Sequence, residues 1–176
     1  MTKQISKLLY PVVWLWRSFY RLRRFFYNYG FISKTSFDIP VISVGNVSFG
    51  GTGKTPFCLW ILNYYQEKSK DIVVLTRGYK GKFEKSVGIL SKENYLTSSP
   101  TDYGDEALIL GRNLKNESRI MVGRNRSQNM LFHFNEMDPD LCLLDDGFQH
   151  LKIKRDLNIV LFDSMMALDR YLEPPL

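Results

Sequence analysis

One glycine-rich stretch constrains this chain more than any other: Val44-Gly45-Asn46-Val47-Ser48-Phe49-Gly50-Gly51-Thr52-Gly53-Lys54-Thr55-Pro56. Residues 39–44 ahead of it are apolar and β-type, and residues 56–66 after it set Phe57, Trp60, Ile61, Leu62 and Tyr65 at helical spacing. Strand, glycine loop and helix in that order form the arrangement in which backbone N–H groups wrap phosphate oxygens. Four glycines remove the Cβ atoms that would hold those N–H groups off, and a helix start adds partial positive charge. Gly50, Gly51, Thr52 and Gly53 would form the cradle, Lys54 would reach the outer phosphates, and the Thr55 hydroxyl would ligate magnesium. The spacing departs from the strict G-x-x-x-x-G-K-[ST] form, whose first glycine would fall on Ser48. The variant used by membrane-associated and partitioning ATPases is not met either, because its signature lysine would fall on Phe49. The competing reading is a glycine-rich turn ahead of a helix that happens to carry a lysine.

The rest of the chain supplies partners for such a loop. Residues 71–76 read as a second strand, followed by Arg77-Gly78-Tyr79. Strand C-termini are where α/β sheets hold ligands, so Arg77 and Tyr79 are candidate site residues as well as candidate turn residues. Residues 82–103 read as a long polar loop with a short strand near 87–90. Asp105 and Glu106 open a helix running to about residue 113, a position that suits simple capping. A strand over 119–123 precedes a helix over 124–137 with Met130, Leu131 and Phe134 inward and His133 as an ordinary surface or packing histidine. The apolar run 141–144 then ends in Asp145-Asp146-Gly147-Phe148-Gln149-His150, the form of a Walker B strand that holds a carboxylate beside nucleotide-bound magnesium. A last strand spans 157–162.

Length and a 44% hydrophobic composition across 176 residues suit one sizeable α/β core. Cys58 and Cys142 fall in apolar patterns, which gives buried thiols without a disulfide framework and suits a reducing compartment. The net charge of +6 resides entirely in residues 1–40, which carry Lys3, Lys7, Arg17, Arg21, Arg23, Arg24 and Lys34 against Asp38. The longest uncharged run there, residues 8–16, is too short to cross a bilayer, and no small-residue cleavage site follows it. Trp14, Trp16, Phe19, Tyr20, Phe25, Phe26 and Tyr27 among arginines fit a helix lying in an anionic headgroup layer. A helix packed on the domain with a solvated basic face is the alternative; nucleic acid is the less favoured partner.

Five stretches, in order and spacing, resemble the tetraacyldisaccharide 4'-kinase family: Gly45-Asn46 with Gly50 to Pro56, Thr76-Arg77-Gly78-Tyr79, Gly104-Asp105-Glu106, Val122-Gly123-Arg124-Asn125-Arg126, and Asp145 to His150. The resemblance implies a P-loop NTPase-like three-layer α/β core with a mostly parallel sheet over residues 38–176, preceded by an amphipathic membrane-interface helix and linker over residues 1–37. It implies ATP- and magnesium-dependent phosphorylation of the 4'-hydroxyl of a tetraacyl disaccharide 1-phosphate in lipid A biosynthesis, at the cytoplasmic face of the bacterial inner membrane. Carried over by motif, Lys54, Asp105 and Asp146 would be catalytic, with Asp105 as general base. Thr55, Asp145, Asp146 and Glu106 would serve the metal, while Arg77, Tyr79 and His150 are supporting candidates. Family members continue into a Leu-Arg-Glu segment and a second α/β part carrying a histidine that partners the catalytic Asp, so weak or absent turnover is expected of these 176 residues alone. A membrane-recruited regulatory ATPase and a non-catalytic lipid- or nucleic-acid-binding fragment are the readings from other classes.

Overall fold

The strands of the central sheet are short apolar runs, most of them buried on both faces, and that is the pattern of a parallel sheet covered by helices on each side. A computed structural model describes residues 14–15, 18–27, 29–46, 53–148 and 150–162. Its strands are β1 (Val41–Asn46), β2 (Ile72–Thr76), β3 (Gly88–Leu90), β4 (Arg119–Val122), β5 (Leu141–Leu144) and β6 (Leu157–Leu161), in spatial order β3-β4-β2-β5-β1-β6. All neighbours pair in parallel except β3 with β4. The helices are α1 (residues 18–27), α2 (Lys54–Gln66), α3 (Pro100–Tyr103), α4 (Asp105–Gly111) and α5 (Arg126–Met137).

Alternation along the strands sorts the core into two layers. Ile42, Val44, Val74 and Leu143 face Cys58, Ile61 and Leu62 of α2 and Ala107 and Leu110 of α4. Val41, Val73, Leu75, Cys142 and Leu144 face Met130 and Phe134 of α5, together with Ile153 and Phe37. Cys58 and Cys142 are fully buried free thiols.

Several boundaries differ from the sequence expectation, each for a local reason. β1 starts at Val41, since Pro40 has no N–H for the ladder, and runs on to Asn46 because β6 pairs with it as far as Leu161. α2 starts at Lys54, with Pro56 in a first turn whose N–H groups lack intrahelical partners anyway. The polar segment 82–103 is more ordered than a loop: β3 is flanked by the 3-10 turns Lys82–Lys85 and Tyr95–Thr97, and α3 closes it.

Two apolar residues of the helical patterns, Trp60 and the expected inward residue Leu131, are exposed. Trp60 is 59% exposed, on the face of α2 opposite Ile61 and Leu62, where its ring stacks between Phe57 and Tyr64 at 5.7 Å from each. Leu131 is 54% exposed, because one residue round from Met130 lies past the edge of the inward stripe of Ser127, Met130 and Phe134. On α1, Phe19, Leu22, Phe25 and Phe26 are exposed while Tyr27 is buried. Among the described residues no helix is long and apolar enough to cross a membrane. Trp14 and Leu15 are helical and exposed as well, whereas residues 1–13, 16–17 and 28 of the expected N-terminal segment lie outside the described residues.

These placements set a stability contrast. Met130→Ala should lower unfolding free energy by about 2–5 kcal/mol, and Leu131→Ala should stay within about 0.5 kcal/mol of wild type, as read from urea midpoints. Equal losses would contradict the assignment of the α5 face.

Candidate functional site

The turn after β5 is laid across the ends of two other strands. Asp145 N–H donates to Leu75 O (3.0 Å) and Gly147 N–H donates to Val44 O (3.0 Å). The crossing is so close that a Cβ on Gly147 would lie 2.5 Å from Ser43 Oγ, and one on Gly45 would lie 2.6 Å from Phe148 Cβ. Asp146 takes a left-handed conformation, φ +48°, which an L-residue adopts at a cost. Arg126, the first residue of α5 and only 6% exposed, offsets that cost: its Nη1 donates to Asp145 O (2.7 Å) and Asp146 O (3.2 Å). Burial draws the Arg126 pKa down while the two carboxylates hold it up.

Lys54 meets this turn from the other side. Gly53 caps α2 in a left-handed conformation, φ +76°, and delivers Lys54 as the first helical residue. Lys54 Nζ donates to Asn46 Oδ1 (3.0 Å) and stands 3.7 Å from Asp146 Oδ1. The end of β1, the start of α2 and the end of β5 therefore converge at the C-terminal edge of the sheet, where α/β folds take ligands. Thr55 is half-buried in the same first turn, whereas Gly50, Gly51 and Thr52 lie outside the described residues.

The two acids of the turn differ. Asp145 is 1% exposed, with Oδ2 accepting from the Thr76 hydroxyl (3.1 Å) and Oδ1 from the Cys58 thiol (3.5 Å). Burial pushes its pKa up, and Arg126 opposes the shift. Asp146 is open, its side chain 61% exposed. Exposed Glu106, in the first turn of α4, has its pKa raised by partial desolvation and then by Asp145, so it faces the same centre. Its neighbour Asp105 is exposed and makes no hydrogen bond or ion pair among the described residues. A buried carboxylate held only by neutral side-chain donors, beside an open one, is a hard-oxygen donor set that suits magnesium. Among the described residues no three acidic, histidine or cysteine side chains form an all-protein metal cage; magnesium commonly relies on one or two carboxylates, with water and phosphate completing the shell.

Beside this edge runs an open cleft of about 850 Å³ whose walls, among the described residues, carry Arg23, Arg77, Lys85, Arg124, Arg126 and Lys152 against one acid, Asp146. Arg77 is held by Glu84 (2.7 Å), which with the Lys80 N–H keeps the Glu84 pKa below its usual range. Tyr79 is 62% exposed and lies outside the cleft wall, its ring 5.8 Å from the Arg77 guanidinium and 5.3 Å from Lys80 Nζ. His150 is in the wall, with a buried Nε2 that has no hydrogen-bond partner among the described residues. Burial, then Arg126 and its basic neighbours, push its pKa down to about 4, so the imidazole is neutral at neutral pH.

Sequence reasoning did not assign roles to Arg126, Asn46, Thr76 or Cys58. Arg126 carried a usable signal: a cation at a helix N-terminus opposes the helix dipole and calls for a compensating contact. Asn46 and Thr76 each end an apolar strand as a polar residue, again a legible sign. Nothing in the pattern marked Cys58, which reads as core.

A family model described as tetraacyldisaccharide-1-P 4'-kinase matches residues 5–173. Tetraacyldisaccharide 4'-kinase of Syntrophotalea carbinolica is 36% identical over 92% of this chain and 45% of its own length. That of Aquifex aeolicus is 36% identical over 93% of this chain and 51% of its own length. A crystal structure of LpxK from Aquifex aeolicus in complex with ATP superposes with TM-score 0.76 at 35% identity, covering 89% of this chain and 48% of that one. The chain thus spans about half the length of the curated relatives it matches.

Two outcomes follow from the geometry. Arg126→Met leaves the Asp145 and Asp146 carbonyls without their donor and should lower stability by about 1–3 kcal/mol; unchanged urea unfolding would show that Arg126 does not brace the turn. Because His150 titrates near 4 when folded, against 6.5 as its ordinary value, the unfolded chain binds its proton first. Its contribution is therefore fully present above about pH 6.5 and lost as pH falls towards 4. His150→Gln should flatten that part of the stability profile, and an unaltered profile would contradict the burial.

Proposed function

The chain belongs to the tetraacyldisaccharide-1-P 4'-kinase family, and from that premise we propose that it forms the nucleotide-binding and acceptor-activating part of an ATP-dependent kinase for the 4'-hydroxyl of a tetraacyl disaccharide 1-phosphate, a step of lipid A biosynthesis. The observation that carries the reading is the approach of Lys54 Nζ to Asp146 Oδ1, 3.7 Å, between a glycine-led helix start and a strand-end acid pair.

In this reading residues 50–55 hold the ATP phosphates, with the start of α2 and Lys54 neutralising charge on the transferred group. Thr55, Asp145 and Asp146, with Glu106 at the margin, would hold magnesium, which when bound supplies further charge neutralisation at the phosphates. Asp105 serves as general base: its carboxylate, engaged by no described residue, accepts the proton of the 4'-hydroxyl as that oxygen attacks the γ-phosphorus. Arg77 and the other cations of the cleft suit the acceptor's own 1-phosphate, and His150 lines the same cleft as a neutral imidazole. Tyr79, off the wall, is assigned only a part in orienting Arg77.

The acceptor is a lipid, and α1 suits its delivery. Arg23 of α1 lines the cleft while Phe19, Leu22, Phe25 and Phe26 of the same helix are exposed, which supports residues 1–37 as an interfacial element on an anionic membrane and residues 38–176 as the kinase core. A requirement for ATP as donor supports the cytoplasmic face of the bacterial inner membrane as the place of action.

The test is transfer of labelled γ-phosphate from ATP to the disaccharide lipid by the full-length gene product. Lys54→Ala should reduce kcat/KM by about 10²–10³-fold or more. Asp105→Asn should lower kcat by about 10²–10⁴-fold with ATP affinity retained. Label appearing only as free phosphate, under stimulation by a protein partner, would favour a regulatory ATPase instead.

A further inference from the structure

A second pocket, of about 340 Å³, opens on the other flank of α1, bounded by Tyr20, Arg24, Lys34, Lys154, Arg155 and Asn158 with apolar floor residues. Arg23 and Arg24 are consecutive, yet Arg23 lines the first cleft and Arg24 this one; Asp146 and His150 are not part of it. Among the described residues four cations line it and no acid does. Among the described residues none of the four has an ion-pair partner, and Asp156, the acid next to Arg155 in the chain, is turned away to accept the Val41 N–H at 2.8 Å.

The fold imposes this gathering. Residues 34–35 and 152–154 are clamped by a parallel bridge between Thr35 and Ile153, with Thr35 N–H donating to Lys152 O (2.7 Å) and Lys154 N–H donating to Thr35 O (2.8 Å). Lys34 and Lys154 are thereby held at one rim. Arg155 is fixed by Nη1 donating to Gly147 O (3.1 Å) and Phe148 O (3.4 Å), which leaves its other guanidinium N–H groups to a ligand. Partial burial draws the Arg155 pKa down, as does Arg24, so the group is held charged in a setting that opposes charge. Like charges so collected repel unless an anion joins them.

We propose that this pocket is a second anion site that binds a phosphate group, with Arg24, Lys34, Lys154 and Arg155 as cationic ligands and Tyr20 and Asn158 as neutral donors. Phosphate chemistry fits because several charge-assisted donors converge from different elements, and because the exposed apolar face of α1 sets the pocket beside an interface where phosphodiester headgroups lie. The group can come from an anionic phospholipid or from free phosphate. Either would tie α1, through Arg155, to the carbonyls that follow the Asp145–Asp146 turn. The site is independent of the kinase reading, since Lys54 does not line it.

The experiment measures flotation of the full chain on vesicles of equal parts phosphatidylglycerol and phosphatidylcholine, against pure phosphatidylcholine, and titration with inorganic phosphate. The variants are K34A and K154A, singly and together, with the charge-keeping K34R/K154R and with R21A, which removes a cation of α1 that lines neither pocket. Each lysine-to-alanine change should cost about fivefold in partition, taking about 1 kcal/mol per basic side chain at an anionic surface; R21A should cost clearly less, and K34R/K154R should retain most binding. That pattern assigns a lipid headgroup. Saturable binding of inorganic phosphate that K34A/K154A loses, with flotation unchanged, assigns free phosphate. If K34A/K154A alters neither readout, or loses flotation only as R21A does, the site is overturned. Lys54→Ala should leave flotation intact while weakening nucleotide binding, so failure here and failure of the kinase reading are distinguishable.

Discussion

Two backbone hydrogen bonds, Asp145 N–H to Leu75 O and Gly147 N–H to Val44 O, hold the candidate site together. They lay the turn after β5 over the ends of β2 and β1, and the rest depends on that crossing. It requires Gly45 and Gly147 to have no side chain, because each would strike an atom of the opposite segment. It forces Asp146 into a left-handed conformation that Arg126 stabilises from beneath. It also aims Asp146 at Lys54, whose own position follows from the left-handed Gly53 at the head of α2.

Electrostatics then divide the molecule. At the sheet edge Asp145, Asp146 and Glu106 outnumber Lys54 and Arg126 among the described residues, which favours a cation there. In the adjoining cleft arginines and lysines dominate, which favours an anionic ligand. A metal-bound triphosphate and a phosphorylated acceptor would meet along that boundary. The hydrophobic layers on both sides of the sheet keep the boundary rigid: Asp145 sits among fully buried strands, and its carboxylate is fixed by Thr76 and Cys58.

The fold was legible because the strands are continuous apolar runs and the glycine loop names its own neighbours, so element order and the mostly parallel sheet followed from pattern. Boundaries slipped where a single residue governs, as at Pro40 ahead of β1, and where capping turns mimic loops, as in residues 82–103. Leu131, expected inward, is exposed because periodicity marks a stripe without fixing its width. The convergence of Lys54 with the acid pair was readable from two motifs, whereas Arg126 and Asn46 act through backbone carbonyls and an amide, contacts that no spacing rule encodes. Tyr79 shares with Arg77 the segment after β2 that pattern marks as a ligand edge, yet two residues further on its side chain lies off the cleft wall.

The most direct measurement is a double-mutant cycle on magnesium-ATP binding with Lys54→Ala and Asp146→Asn. If the helix start and the strand end form one site, the two changes should be non-additive, with a coupling energy of about 0.5–3 kcal/mol. Strict additivity would mean that Lys54 and Asp146, though 3.7 Å apart, serve no common ligand, and would contradict the nucleotide site itself.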